Sequence, residues 1–274
     1  MTKPRKDIIR EPKRVLSLGM GVQSTTLAVM SALGEIPEFD IILFSDPGWE
    51  SPITYKIRDF YFEWLGSRVK STIQTVGNGN IYEDEVNKHS LYIPARYGSK
   101  SIPLRRQCTN EYKIDPINKW LRAYLGHTHP RGGRIPVGVI KMSLGISFDE
   151  FYRMKTSRLA WIENSYPRVD MKITRQGCVD FLIKNSLPVP PKSACVCCPY
   201  SPVSRFLYFK EAFPEEWKKL VEFDNRIRKP TNQMVSRGFT EDLYLTGKGI
   251  PVEELKTAST EVEDETCETG YCFV

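Results

Sequence analysis

A short apolar run, Arg14-Val-Leu-Ser-Leu18, breaks into Gly19-Met-Gly-Val-Gln-Ser-Thr25 and restarts at once as a helix. A second apolar run, Ile41-Ile-Leu-Phe-Ser45, follows shortly after and ends on Asp46. Apolar runs bounded by turn residues read as buried parallel strands. A glycine and hydroxyl loop between a strand and a helix forms an anion cradle. Gly19 and Gly21 let the backbone approach the anion closely, and the helix beginning near Val22 aims its free N–H groups and positive dipole end at it. Asp46, at the carboxyl end of the second strand, falls on the sheet edge where such folds bind ligands. The chain is therefore expected to handle a nucleotide.

The same alternation continues. Strands are expected at 13–18, 40–45, 71–76 and 137–145, and helices at 22–34, 52–65 and 109–125. This pattern predicts an α/β fold, a Rossmann-like parallel sheet with helices on both faces. Residues 77–107, rich in Gly, Asn and basic side chains, read as a substrate loop. Thr174 reads as the N-cap of a helix to about Lys184. Two more helices, 201–212 and 214–229, follow a cysteine cluster, the second opened by Pro214. The expected division is a charged lead-in at 1–12, a nucleotide-binding domain at 13–205, C-terminal helices at 206–256 and a mobile acidic tail at 257–274. The C-terminal part is expected to be small, helical and cysteine-rich.

With 274 residues and 41% hydrophobic content, the chain is long enough for one well-buried domain. No apolar run approaches the roughly 18 residues that span a membrane. The N-terminus is polar with no apolar core behind it, so a cytoplasmic location and no membrane partner are expected. The formal net charge of +6 is unevenly spread. Residues 251–274 hold seven acids and one base, whereas residues 96–141 hold ten bases and two acids. That basic stretch favours a polyanion, either a nucleotide with several phosphates or a nucleic acid.

Seven cysteines in such a chain argue against a disulfide framework. Cys195 and Cys198 have ligand spacing, and Cys178 stands at a helix start. Cys108 stands at another helix mouth, behind Arg105 and Arg106 and one turn before Lys113. Cationic neighbours and a helix N-terminus lower a thiol's pKa, which suits a nucleophile or a metal ligand. Cys108, Cys178, Cys195 and Cys198 together make a full set for a 4Fe-4S cluster, with zinc as the alternative and Cys197 as a competing ligand. Arg105 and Arg106 suit phosphate binding. Asp149 and Glu150, after the fourth strand, either open a helix or join Arg153 in the site.

Ser17-x-Gly19-x-Gly21-x-Gln23-Ser24-Thr25 resembles the pyrophosphatase loop of the adenine-nucleotide alpha-hydrolase (PP-loop) superfamily, with Gln23 where that loop carries Asp. It lacks the Gly-Lys-Ser/Thr of a Walker A loop. Within the superfamily the chain resembles the phosphoadenylyl-sulfate (PAPS) reductase family over roughly residues 13–205. The resemblance rests on this loop, on Ser45–Glu50 with Tyr55, on Cys108 with Lys113 and Pro116, on Gly145–Arg153, and on Cys178 with Cys195-x-x-Cys198-Pro199. It implies that Ser17, Gly19, Gly21, Gln23, Ser24 and Thr25 hold phosphate or sulfate, with Asp46 beside the ribose or adenine. Lys113 and Arg153 are expected to act on the reacting group. Those reductases end in Glu-Cys-Gly-x-His, whereas here the end is Glu265-Thr-Cys-Glu-Thr-Gly-Tyr-Cys-Phe-Val274. Cys272 or Cys267 would take the nucleophile's part.

Three functions fit these residues. The first is reductive cleavage of an adenylyl sulfate by cysteine thiol chemistry, with a thioredoxin-like reductant as partner. The second is ATP-dependent sulfur transfer to tRNA or DNA, as in thiolation or phosphorothioation systems. The third is non-catalytic binding of a nucleotide or nucleic acid.

Overall fold

The computed structural model describes residues 11–88, 93, 95–128 and 134–256. Cys267 and Cys272 lie outside them.

Five parallel strands form the main sheet: β1 (Lys13–Ser17), β2 (Ile41–Ser45), β3 (Thr72–Val76), and, later in the chain, Ile140–Ser143 and Ile162–Ser165. Between them run α1 (Val22–Ala32), α2 (Pro52–Gly66), α3 (Ile81–Lys88), the two-residue strands β4 (Arg96–Tyr97) and β5 (Ile102–Pro103), and α4 (Asp115–Tyr124). The two late sheet strands are therefore β6 and β7. Next come α5 (Pro167–Asp170), α6 (Arg175–Lys184), α7 (Val203–Ala212), α8 (Pro214–Ile227), α9 (Asn232–Val235) and β8 (Leu243–Tyr244). The sheet order is β3-β2-β1-β6-β7. The chain winds outward from β1 in one direction, then returns to β1's other side. That reversal opens a crevice above the carboxyl ends of β1 and β6.

Strand alternation assigns each side chain to a layer. Val15, Ile41 and Leu43 face α4 through Ile117 and Leu121. Their neighbours Leu16, Ile42 and Phe44 face α1 and α2 through Leu27, Ala28 and Leu65. Burial on both faces explains why the central strands are nearly continuous apolar runs. At the sheet's other edge, β7 reads Ile162-Glu-Asn-Ser165, too polar to be recognised as a strand, yet it pairs with β6 at Ile140, Lys141, Met142 and Ser143. The fourth expected strand, 137–145, contracts to Ile140–Ser143.

The stretch expected to be a substrate loop is more ordered. It carries α3 and two strands of a three-stranded antiparallel sheet, β5-β4-β8. These pack with the C-terminal helices into a second core built on Trp49, Ile81, Tyr112, Phe206, Phe209 and Phe223. The expected boundary after residue 205 falls inside α7. Asp224 on α8 pins this layer. Its carboxylate accepts the N–H groups of Leu245 and Val252 at 3.1 and 3.0 Å, and it pairs with Arg228.

Thr174 caps α6 as expected, its hydroxyl accepting from Gly177 N at 3.1 Å. The helix expected at 109–125 starts at Cys108 and passes through a π-helical turn, Asn110–Ile114, into α4. Pro116 causes the wide turn, because it has no N–H for the preceding turn. The carbonyls it cannot serve are taken by other side chains: Ser45 Oγ donates to Tyr112 O at 2.7 Å and Asn78 Nδ2 to Glu111 O at 3.2 Å. Among the described residues no helix is long and apolar enough to cross a membrane.

Candidate active site

The crevice at the reversal holds a cavity of about 550 Å³. One wall is the loop after β1. Met20, not a glycine, takes the left-handed turn there, with φ 54°. Gly21 is the N-cap of α1, no side chain caps the helix, and no acid occupies its first turn. A Cβ at Gly21 would meet nothing within 4 Å, so the space beside it is open to a ligand. Ser24 Oγ accepts from Gly19 N at 3.1 Å and donates to Gly21 O at 3.3 Å, which closes the loop on itself. Gly145, just beyond β6, touches the same helix start. A Cβ there would lie 2.9 Å from Ser24 Cβ and 3.0 Å from Ser24 N. The crevice can close to this width because position 145 has no side chain.

Gln23 finds its reason here. Its amide donates to Glu150 Oε2 at 2.8 Å and to Ser147 Oγ at 3.1 Å. Arg153 reaches the same Glu150 oxygen at 2.7 Å. An acid at position 23 would face Glu150 at hydrogen-bond distance, which disfavours two ionised carboxylates. Glu150 supplies the negative charge that the loop itself lacks. Asp149 accepts from Arg175 N at 3.0 Å, so both acids fold back onto the site. Arg153 and Arg175 face the cavity beside the loop.

The opposite wall carries the thiols. Val196 N bonds to Trp49 O at 3.1 Å, and Glu50 pairs with Cys195 in an isolated antiparallel bridge. Cys198 N then turns back to Cys195 O at 3.2 Å. Arg205 holds the approach by donating to Lys192 O and Ala194 O at 3.0 and 2.8 Å. Cys108, Cys195, Cys197 and Cys198 all line the cavity. Glu50 is 2% exposed. Its Oε1 receives Lys113 Nζ at 3.0 Å and lies 3.9 Å from Cys195 Sγ, while its Oε2 is buried with no hydrogen-bond partner among the described residues. Cys195 keeps some open surface, yet the atoms packed round it and then Glu50 push its thiol well above the usual range. Burial does the same to Cys197.

Several expectations need correction. Cys178 does not join the other three expected ligands. It is fully buried among Val22, Val29, Tyr61 and Leu182, where α6 packs on α1. A helix start gave it the right sequence context, but the helix turns it inward. No three His, Cys, Asp or Glu side chains among the described residues stand where one metal ion could be held. Of the four expected ligands, Cys108, Cys195 and Cys198 share the cavity and Cys178 does not, and no step below runs through a metal. Thr25 is fully buried, its hydroxyl has no partner among the described residues, and it lies on the side of α1 turned away from the cavity lining. Asp46 also stays out of the lining. Its Oδ1 accepts from Gly48 N and Tyr55 OH, both at 2.8 Å, and Arg58 lies 3.6 Å from its Oδ2. It shapes the turn after β2, and Pro47 lines the cavity instead. Burial, and then this carboxylate, raise the Tyr55 hydroxyl above the usual phenol range, so it remains a donor.

Of the expected site residues, Ser17, Gly19, Gly21, Gln23, Ser24, Arg106, Lys113 and Arg153 are brought together in the lining of this cavity. Arg105 lines a second cavity, of about 760 Å³, on the other side of Arg106. Glu50, Arg175, Lys192 and Arg205 were missed as site residues. Lys192 is signalled only by its place just before the cysteines, and Arg175 only by following the Thr174 cap.

The topology and the crevice define an α/β fold of the Rossmann type with an uncapped helix start and thiols in one cavity. No protein-family model matches the chain, and no curated protein matches it. Among solved structures it is similar to phosphoadenylyl-sulfate (PAPS) reductase from Candida auris in its phosphate complex. That likeness has a TM-score of 0.41 and 14% identity, over 67% of this chain and 78% of that one.

Proposed function

We infer that the chain is a PAPS reductase-like enzyme that cleaves an adenylyl sulfate by thiol chemistry. The observation that carries this reading is the shared cavity: the open N-terminus of α1 and three partly open thiols, Cys108, Cys195 and Cys198, line the same 550 Å³. The helix N–H groups, Arg153 and Arg175 suit the anionic end of the nucleotide. A cysteine thiolate attacks the sulfate sulfur. An S–S bond forms to give a thiosulfonate, and the S–O bond breaks with its electron pair leaving on the nucleotide phosphate. One thiolate of a dithiol reductant then attacks the cysteine sulfur to form a mixed disulfide, and sulfite leaves with the electron pair of the S–S bond. The reductant's second thiolate attacks its own sulfur in the mixed disulfide, which closes the reductant's disulfide and releases the enzyme cysteine as thiolate. Cys272 or Cys267, both outside the described residues, is the proposed nucleophile, and the cavity thiols are not given that part. Lys113, held by Glu50, and Arg153, held by Glu150, balance charge as it develops.

A second reading, ATP-dependent sulfur transfer to a nucleic acid, draws on the second cavity, which shares Ser17, Arg106, Thr109, Lys113 and Tyr200 with the first. One anaerobic assay separates them. Adenylyl sulfate or its 3′-phosphate form is supplied with reduced thioredoxin, and ATP in parallel with tRNA or DNA. Sulfite release supports the reductase. ATP turned to AMP only with nucleic acid, and no sulfite, moves the assignment to the second reading. Tight nucleotide binding without turnover in either arm leaves a binding protein.

A further inference from the structure

The exposed rings of an aromatic ridge beside the second cavity have no part in the chemistry above, although Glu150 and Arg153 of the same segment do. The ridge is the 3₁₀ segment Phe148–Arg153 that follows Gly145. Phe151 is 59% and Tyr152 61% exposed, with Phe148 and Met154 also open to solvent. Phe148 and Phe151 lie 6.4 Å apart with their rings inclined by 32°, and Phe151 and Tyr152 also lie 6.4 Å apart, near edge-on. Three neighbouring exposed apolar rings are costly to leave in water unless something covers them.

Charge says what covers them. The chain from the ridge runs directly into the second cavity, whose lining includes Lys155, Arg158, Arg105 and Arg106 together with Met142 and Leu144. Glu111 and Asp115 are the opposing acids in this lining, and Asn110 donates to Asp115 at 3.0 Å. The loop bearing the cations is anchored by its backbone. Tyr166 OH accepts from Lys155 N at 2.9 Å and donates to Lys155 O at 2.6 Å, and Asn164 donates to the same carbonyl at 2.9 Å. A slot of about 760 Å³ lined by these cations together with apolar and neutral polar side chains has room for a flat base and its phosphate. A lone nucleotide would fill the slot and leave Phe151 uncovered. A chain of nucleotides would occupy both, because aromatic faces stack successive bases while spaced cations follow the backbone.

We propose that Phe148–Arg158 and the second cavity bind a single-stranded polynucleotide, one unpaired base entering the cavity and its neighbours stacking on Phe151 and Tyr152. This deepens the nucleic-acid reading and rests on it for its purpose, but the binding itself does not depend on which group the first cavity cleaves.

The test measures anisotropy of labelled 12-nucleotide single strands, DNA and RNA, with the duplex as a third probe, using the full chain. Single strands are expected to bind more tightly than duplex. Phe151→Ala is expected to weaken them about tenfold, as loss of a stacked base does. Lys155→Ala with Arg158→Ala should flatten the slope of log affinity against log salt by about 1.4, the value for two phosphate contacts on a single strand. ATP or adenylyl sulfate binding, titrated in the same variants, should stay at the wild-type value. A preference for RNA or for DNA identifies the source. Equal affinity for duplex, no effect of Phe151→Ala, or self-association through the ridge without oligonucleotide binding would each overturn the proposal. Failure of the nucleotide site shows separately, as lost ATP and adenylyl sulfate binding with intact oligonucleotide binding.

Discussion

Ser45, Gly145 and Cys178 show how much single residues decide. Ser45 donates to the carbonyl that Pro116 leaves without its helical donor. Ser45→Ala removes that buried hydrogen bond and should cost about 1 kcal/mol in chemical denaturation. Gly145→Ala forces Ser24's backbone away, since its Cβ would lie 3.0 Å from Ser24 N. Calorimetric titration should then show at least about tenfold weaker nucleotide binding, because one misplaced ångström at a preorganised site is felt strongly. Cys178→Ala removes a buried sulfur from the α1–α6 contact and should cost about 1–2 kcal/mol of stability. Any iron or zinc that the purified protein carries should be unchanged in that variant, and its loss would restore Cys178 as a ligand. Residue type and spacing were legible in the sequence for Cys108, Cys195 and Cys198. The face that Cys178 presents was not, because spacing along a chain does not say which way a helix is turned in the fold.

At the scale of elements, β1, β2 and the start of α1 could be read directly. Their two-sided burial writes itself as unbroken apolar runs, and the loop between them has little freedom. Edge and short elements left a fainter trace. In β7 and α3, Ile162-Glu-Asn-Ser165 and Ile81-Tyr-Glu-Asp-Glu-Val-Asn-Lys88 are half polar because one side of each faces away from the cores. The loop-to-ridge contact was equally hidden, since Gln23 and Glu150 are 127 residues apart. Gln23→Glu is expected to set two carboxylates against each other and lower stability by about 1–2 kcal/mol. Adding Glu150→Gln should recover most of that loss in a double-mutant cycle. No recovery would mean that the pair does not act together.

At the scale of the whole molecule, the parallel sheet and the C-terminal layer act as two jaws. The sheet's helix start holds one end of the cavity, and the layer pinned by Asp224 holds the thiol end. Asp224→Ala leaves Arg228 without its carboxylate and two backbone donors without an acceptor. It is expected to cost about 3–5 kcal/mol, as removal of one partner from a buried pair does. Thermal unfolding followed by tryptophan fluorescence, with Trp49 in that core, should register it. The joint between the jaws was illegible in sequence, because the split expected after residue 205 treats α7 as an appendage, whereas its Phe206 and Phe209 pack with Trp49 and Ile81.

The bridge from Glu50 to Cys195 has a consequence for synthesis. The thiol turn leaves the ribosome long after the strand that seats it, and Phe223, Leu245 and Leu255, which close the core behind Cys197, emerge later still. During that interval the nascent chain presents a cysteine-rich turn with no shelter. A translational stall anywhere between the turn and Leu255 would leave Cys197, which the finished fold buries completely, open to oxidants, so completion of the core is itself a guard on that sulfur.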